Sequence, residues 1–227
     1  MKLIISDIHN RVEWIEPFLS KQNYDKVIFL GDYFDQFHDS IIEVSKTARW
    51  LKESLQDPRR IHIFGNHDMS YMFPKNQNLY CPGFDEIKSK GINKILSKED
   101  WKKMKLVHFE DGYVFSHAGL HPKVFSHPIH GMTKDHIEKC CEKAIEKSKS
   151  NEYSQYLEWG WRIGRQLIGG CIWLEWDEFE PSEEIKQVVG HTPSNSVREK
   201  NGNFCMDTNN RHIGILDGGK EIKFLTI

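Results

Sequence analysis

The chain has 227 residues, 31 basic and 33 acidic side chains, and a formal net charge of -2. That balance removes the overall field that would favour nucleic acid or an anionic membrane surface, so neither is an expected partner. No apolar run approaches the roughly 20 residues of a membrane span, and Leu3-Ile4-Ile5 is too short for a signal-peptide core. The length suits one α/β domain over 1–227, undivided by any Ser-, Gly- or Pro-rich linker. The five cysteines (Cys81, Cys140, Cys141, Cys171 and Cys205) are odd in number and form no CxxC pair, which predicts reduced, buried thiols and a cytoplasmic location.

In chain order, Leu3-Ile4-Ile5 reads as a strand that stops at Ser6-Asp7-Ile8-His9-Asn10. Val12, Ile15, Phe18 and Leu19 then fall at helical spacing, with Asn10 as the expected cap. A second strand, Val27 to Leu30, closes on Gly31-Asp32-Tyr33-Phe34-Asp35. Ile41, Ile42, Val44, Ala48 and Leu51 trace one face of a helix ending before Pro58. The third strand, Ile61 to Phe64, leads into Gly65-Asn66-His67-Asp68. Three apolar runs thus deliver polar groups at their carboxyl ends, where open α/β sheets gather ligands.

From Tyr71 to Asp100 the pattern weakens to loops, with short helices near Ile87 and after Ser97. Leu106–Phe109 and Tyr113–Phe115 form a predicted hairpin across Asp111-Gly112, and its second strand runs into Ser116-His117. A helical insertion over about 123–185 follows, with helices expected from Thr133 to Lys149 and from Tyr153 to Leu167. Gln187–Val189 is a further strand ending at Gly190-His191-Thr192, and the tail after Asn203 reads as an antiparallel meander.

Asp7, His9, Asp32, Asn66, His117 and His191 are oxygen or imidazole donors, each at or just after a predicted strand end. Six such groups exceed the four ligands of a structural zinc site and suit two divalent ions sharing one carboxylate. Mixed N/O ligation fits Mn²⁺ foremost, with Fe, Zn²⁺ or Ni²⁺ as alternatives, better than Ca²⁺, which takes oxygen ligands only. Ions about 3.5–4 Å apart activate water and clamp the oxygens of a displacement at phosphorus, so phosphate ester hydrolysis is the expected chemistry. The departing oxygen needs a proton, for which His67 is the candidate acid and Asp35 the carboxylate that orients it.

The motifs Asp7-Ile8-His9, Gly31 to Asp35, Gly65 to Asp68, His117-Ala118-Gly119-Leu120 and Gly190-His191-Thr192 resemble, in order, those of the calcineurin-like metallophosphoesterases. The phosphoprotein phosphatase branch, which includes diadenosine tetraphosphate hydrolases, is the most similar. The likeness covers about 3–121 and 187–217 and leaves the insertion unassigned. It implies a sandwich of two mixed β-sheets flanked by helices in four layers. It also implies that Asp7 and His9 bind one metal, that Asp32 bridges, and that Asn66, His117 and His191 bind the other. The implied activity is a phosphatase acting on phosphomonoesters or phosphoanhydrides, including phosphoproteins. The alternatives are a phosphodiesterase or nucleotide hydrolase and, from another class, a non-catalytic scaffold. Many relatives carry Arg after the second Asp, Gly before Asp7 and after His9, and Glu at position 68; here stand Gln36, Ser6, Asn10 and Asp68. Arg162, Arg165 and Arg198 are the candidate replacement cations, although Arg162 and Arg165 read first as the solvated face of their helix.

Other conspicuous residues read as structural. His121, His127, His130 and His136 fit no ligand spacing and are expected on surface or loops, while Trp159, Trp161, Trp173 and Trp176 are expected in the core. Cys140-Cys141 is expected to pack on its helix.

Overall fold

Alternation along the first two strands builds a sandwich. In β1 (Lys2–Ile5), Leu3 and Ile5 face one side of the sheet and Ile4 the other; β2 (Lys26–Phe29) repeats this with Val27 and Phe29 opposite Ile28. In the computed structural model, which describes residues 1–36, 38–160, 167–218 and 221–227, Ile4 and Ile28 meet Phe115 and Val188 of a second sheet. Leu3, Ile5, Val27 and Phe29 instead pack beneath α1 (Ile15–Leu19) and α2 (Ile41–Ser54) through Ile15, Val44, Ala48 and Leu51.

The first sheet adds β3 (Arg60–His62), β9 (His212–Leu216) and β10 (Ile222–Thr226), in the order β10-β9-β1-β2-β3. The second, ordered β4-β5-β6-β8-β7, comprises β4 (Val107–Glu110), β5 (Tyr113–Ser116), β6 (Lys186–Val189), β7 (Arg198–Lys200) and β8 (Asn203–Cys205). Both sheets are mixed. β1, β2 and β3 run parallel, as do β5, β6 and β8, which brings five ligand-bearing strand ends to one edge. Two hydrogen bonds tie that edge together: His117 Nδ1–H to the Leu30 carbonyl at 2.8 Å joins the two sheets, and Gly190 N–H to the His117 carbonyl at 2.6 Å joins the ends of β5 and β6 within the second.

Several expectations fail for local reasons. Asn10 does not cap α1, which starts only at Ile15; its backbone is left-handed and its side chain bonds Asp39 instead. Ser40 and Glu43 form a reciprocal cap at the start of α2. That leaves Ile41 and Ile42 on a first turn overhanging the core, 43% and 76% exposed. The tail is not one meander. β8 pairs parallel with β6 and antiparallel with the unforeseen β7, whereas β9 and β10 cross to the first sheet.

In the insertion, the helices Pro122–Phe125 and Lys134–Lys149 precede a 3-10 turn at Gln155–Leu157. Up to residue 160 the helix expected from Tyr153 is absent, because Glu158 is extended and Gly160 left-handed. The rest of that expectation, with Trp161, Arg162 and Arg165, lies mostly outside the described residues. His121 is not at the surface: it is 2% exposed and caps the helix Pro122–Phe125 by accepting from Lys123 N–H. His127, His130 and His136 do gather, with ring centroids 4.9 and 5.2 Å apart. Trp173 and Trp176 are buried, and so are all five free cysteines.

Candidate metal centre

The strand-end turns adopt backbone that ordinary residues avoid. Asp7 (φ 25°), His9 (45°), Asn10 (61°), Asp32 (51°), Asp35 (62°) and His191 (69°) all lie at positive φ. Such conformations cost of order 1–3 kcal/mol each and persist where surrounding bonds over-determine them. Here Ile8 N–H and His9 N–H both donate to the Asp32 carbonyl, at 2.9 and 2.8 Å, and Asn10 N–H donates to the Tyr33 carbonyl at 2.8 Å. Asp68, fully buried, accepts from Gly65 N–H (2.8 Å), Asp32 N–H (2.9 Å) and Tyr33 N–H (2.9 Å), bolting the second turn to the third. Asn is one of the few residues that tolerates the left-handed region, which explains Asn10 where relatives have Gly. Ser6 donates its hydroxyl to the Asp7 carboxylate. Gly65 allows the third turn to approach, since a Cβ there would lie 2.0 Å from Asp32 Oδ1.

These turns bring all six candidate donors together. Asp7, His9 and Asp32 form one cluster of ligand atoms; Asp32, His117 and His191 form a second, and Asp32 belongs to both. His9 Nε2 lies 3.6 Å and His117 Nε2 3.4 Å from Asp32 Oδ2. His117 Nε2 is also 3.0 Å from Asn66 Oδ1 and 3.2 Å from His191 Nδ1. With Nδ1–H donating to Leu30, His117 turns its other nitrogen toward this group; His9 does the same, its Nδ1 lying 2.7 Å from the Asp35 carbonyl. Carboxylate, amide oxygen and imidazole with no thiolate are a donor set that fits a divalent first-row ion.

The electrostatics match a cation site. Burial, then the nearby Asp207 carboxylate, push Asp7 up to about 7. Burial opposes ionisation of Asp32 too, but His117 and His67 hold its carboxyl well below the usual range. His117 is pushed up to about 10: burial resists its charge, and Asp32 followed by Asp7 outweigh that cost. Asp207, raised mainly by burial, completes a knot of buried acids and imidazoles among which the described residues place no Lys or Arg ion pair.

Beside the first cluster, the His67 ring stands 5.3 Å from that of His9 and nearly perpendicular to it. Its Nδ1 lies 3.0 Å from Asp35 Oδ2, and its N–H donates to Asp32 Oδ1 at 3.1 Å. Burial disfavours the charge of Asp35, but His67, Tyr71 and Lys88 hold its carboxyl below the ordinary value. Cys81 joins this pair as a third grouping of potential ligand atoms, 3.4 Å from His67 Nδ1. Burial and then Asp35 raise its thiol well above the usual range, so it remains a neutral neighbour rather than a thiolate ligand.

Arg198 does not replace the missing arginine. Its guanidinium is committed to the Thr192 carbonyl and lies over the Trp176 ring, while Gln36 is exposed. Sequence reasoning missed Tyr71, Lys88 and Asp207. Only Asp207 carried a readable signal, as an acid just past the strand Asn203–Cys205.

A sequence profile of the calcineurin-like phosphoesterases matches residues 3–223, and no curated protein sequence matches significantly. Among solved structures, the chain is similar to a point mutant of a cold-active protein tyrosine phosphatase, with TM-score 0.62 and 17% identity over 98% of this chain and 76% of that one. The cold-active protein-tyrosine phosphatase of a psychrophilic Shewanella species gives 0.59 and 14%, covering 99% and 80%. A protein serine/threonine phosphatase from Saccharomyces cerevisiae gives 0.54 and 14%, covering 100% and 79%. At these identities the structural likeness is one of fold, and it is the profile spanning nearly the whole chain that assigns membership. The chain belongs to the calcineurin-like phosphoesterase family, and is a metal-binding hydrolase of phosphoesters.

Proposed function

We propose that this chain is a dinuclear phosphatase that hydrolyses phosphomonoesters or phosphoanhydrides by direct attack of water, without a phosphoenzyme. The observation that carries the reading is that Asp32 belongs to both donor clusters, the arrangement needed to share one carboxylate between two ions. Asp7, His9 and Asp32 would hold one ion; Asp32, Asn66, His117 and His191 would hold the other, with Mn²⁺ the best-matched metal. When bound, the ions supply an activated water and neutralise phosphoryl charge. The protein groups do the rest. Asp35 holds His67 with Nδ1–H toward its carboxylate, leaving Nε2 to deliver a proton to the departing oxygen. The backbone bond from His67 N–H to Asp32 ties the acid to the bridging carboxylate.

Similarity of fold to protein phosphatases supports a phosphoprotein substrate. Five free, buried thiols favour a reducing, cytoplasmic setting, and among the described residues no helix is long and apolar enough to cross a membrane. The test is p-nitrophenyl phosphate hydrolysis by Mn²⁺-loaded protein, compared with a phosphopeptide, diadenosine tetraphosphate and bis-p-nitrophenyl phosphate. Asp32→Asn should remove metal and activity together. His67→Asn should spare metal and lower turnover by about 10²- to 10⁴-fold on poor leaving groups. Faster cleavage of the diester than of any monoester or anhydride would overturn the phosphatase reading in favour of a phosphodiesterase. Metal-replete protein inactive on all four compounds would leave the scaffold reading.

A further inference from the structure

The stretch from Tyr71 to Lys88 carries no motif, yet it converges on Asp35. Asp35 divides its two oxygens between two tasks. Oδ2 faces His67 Nδ1 at 3.0 Å; Oδ1 accepts from the Tyr71 hydroxyl at 2.6 Å and from Lys88 Nζ at 3.0 Å. Lys88 lies in the first turn of the helix Glu86–Ile95, whose start is fixed by Asp85 accepting from Ile87 and Lys88 N–H. Its side chain is only 17% exposed. Besides Asp35, its ammonium meets Asp39 Oδ1 at 2.5 Å and the Gly83 carbonyl at 3.2 Å.

An ammonium has three N–H donors, and Lys88 has three acceptors. It is therefore spent within the protein and is not a free cation for substrate phosphate. Asp39 in turn accepts from Asn10 Nδ2 at 2.8 Å, so a chain of polar contacts runs from the loop of His9 through Asp39 and Lys88 to Asp35 and His67. Without Lys88, Asp35 and Asp39 would repel, and the Asp35 carboxylate could rotate away from His67.

We propose that Lys88, with Tyr71, is a positioning residue that locks the Asp35 carboxylate so that His67 presents its proton to the leaving oxygen. The proposal rests on the phosphatase reading above and assigns a task to a segment outside every family motif. A positioning defect of this kind weighs on substrates whose leaving group needs the proton, and hardly on those whose leaving group departs as a stable anion.

The experiment compares phenyl phosphate with 2,4-dinitrophenyl phosphate on Mn²⁺-loaded protein, with metal content measured on the same samples. Lys88→Met should lower kcat on phenyl phosphate about tenfold, a part of what the acid as a whole contributes, and on the dinitrophenyl ester by less than about twofold. KM and bound metal should stay at the unmutated values, and Lys88→Arg should recover most of the loss. In an Asp35→Asn background, Lys88→Met should add nothing, since the group it positions is gone. Tyr71→Phe, which removes one hydroxyl from the same oxygen, should give the same selective loss at about threefold and serves if Lys88→Met fails to fold. Equal losses on both esters, or an undiminished effect in the Asp35→Asn background, would overturn the positioning role while leaving the phosphatase reading intact. Unmutated, metal-replete protein that cleaves neither ester would overturn both.

Discussion

The two ends of the sandwich gather charge in opposite ways. At the amino ends of β1 and β2, Lys2 and Lys26 both pair with Glu110; Lys2 also reaches Asp111, and His108 lies 3.0 Å from Glu110. That cluster completes itself. Against the cost of burial, Lys26, Lys2 and His108 hold Glu110 down to about 2. At the carboxyl ends, Asp7, Asp32 and Asp207 are buried among histidines, with no Lys or Arg pair among the described residues. A cluster whose charges cancel within the chain is structural; one that gathers buried anions on strained turns is built around a cation from outside.

The largest effect should come from closing the space that the turns need. Gly65→Ala places a Cβ 2.0 Å from Asp32 Oδ1, so the shared carboxylate must move. Bound metal and phosphatase activity should both fall to background, while the chelated protein loses only the about 1–3 kcal/mol typical of overpacking. Metal retained at the unmutated level would break the comparison.

Chelation should act at one end alone. Removing metal held at about 1,000 times its Kd lowers stability by about 4 kcal/mol, measurable by calorimetry. Glu110→Gln should then cost the same with and without metal, because distant sites add. A different cost in the two states would show that the ends communicate.

His62 manages charge in a third way, by staying neutral. It stacks on Phe29, 4.7 Å between centroids, and its ring nitrogens meet the Tyr33 hydroxyl at 2.8 Å and the Ser54 hydroxyl at 3.0 Å. Burial, reinforced by Arg60, lowers it to about 3 from an ordinary 6.5. The unfolded chain therefore binds a proton below pH 6.5 that the folded chain refuses. Its contribution is fully present above pH 6.5 and is lost progressively as pH falls toward 3. Between pH 6.5 and 4.5 this amounts to about 2–3 kcal/mol. Denaturant titrations of His62→Gln should show a pH slope flatter by that amount, and an unchanged slope would refute the assignment.

The smallest effect belongs to the self-contained end. Glu110→Gln should cost about 1 kcal/mol near neutrality, less in 1 M salt. Because Glu110 is depressed when folded, that cost should vanish as pH falls through about 2. A cost insensitive to salt would argue against an ion pair.

Much of the fold was legible because its signals are local. Leu3–Ile5, Val27–Leu30 and Ile61–Phe64 are apolar runs stopped by polar turns, and Asp111-Gly112 announces its own hairpin. The tail was not, because whether β8, β9 and β10 join one sheet or two depends on which edges are open, a property of the assembled sandwich. In the insertion, extended Glu158 and left-handed Gly160 keep the described residues up to 160 out of the helix that composition alone favoured from Tyr153.

The sequence by itself determined the donor inventory and its placement: Asp7, His9, Asp32, Asn66, His117 and His191 each follow a strand because turn residues and apolar periodicity lie within a few positions of one another. Only the tertiary structure decided that Asp32 stands between two clusters, that Asp68 binds two turns together and that Lys88 spends its charge on Asp35 and Asp39. Those facts depend on contacts between residues 53 positions apart, as for Lys88 and Asp35, or 36, as for Asp68 and Asp32. No local pattern encodes such pairs, because packing of the two sheets chooses them.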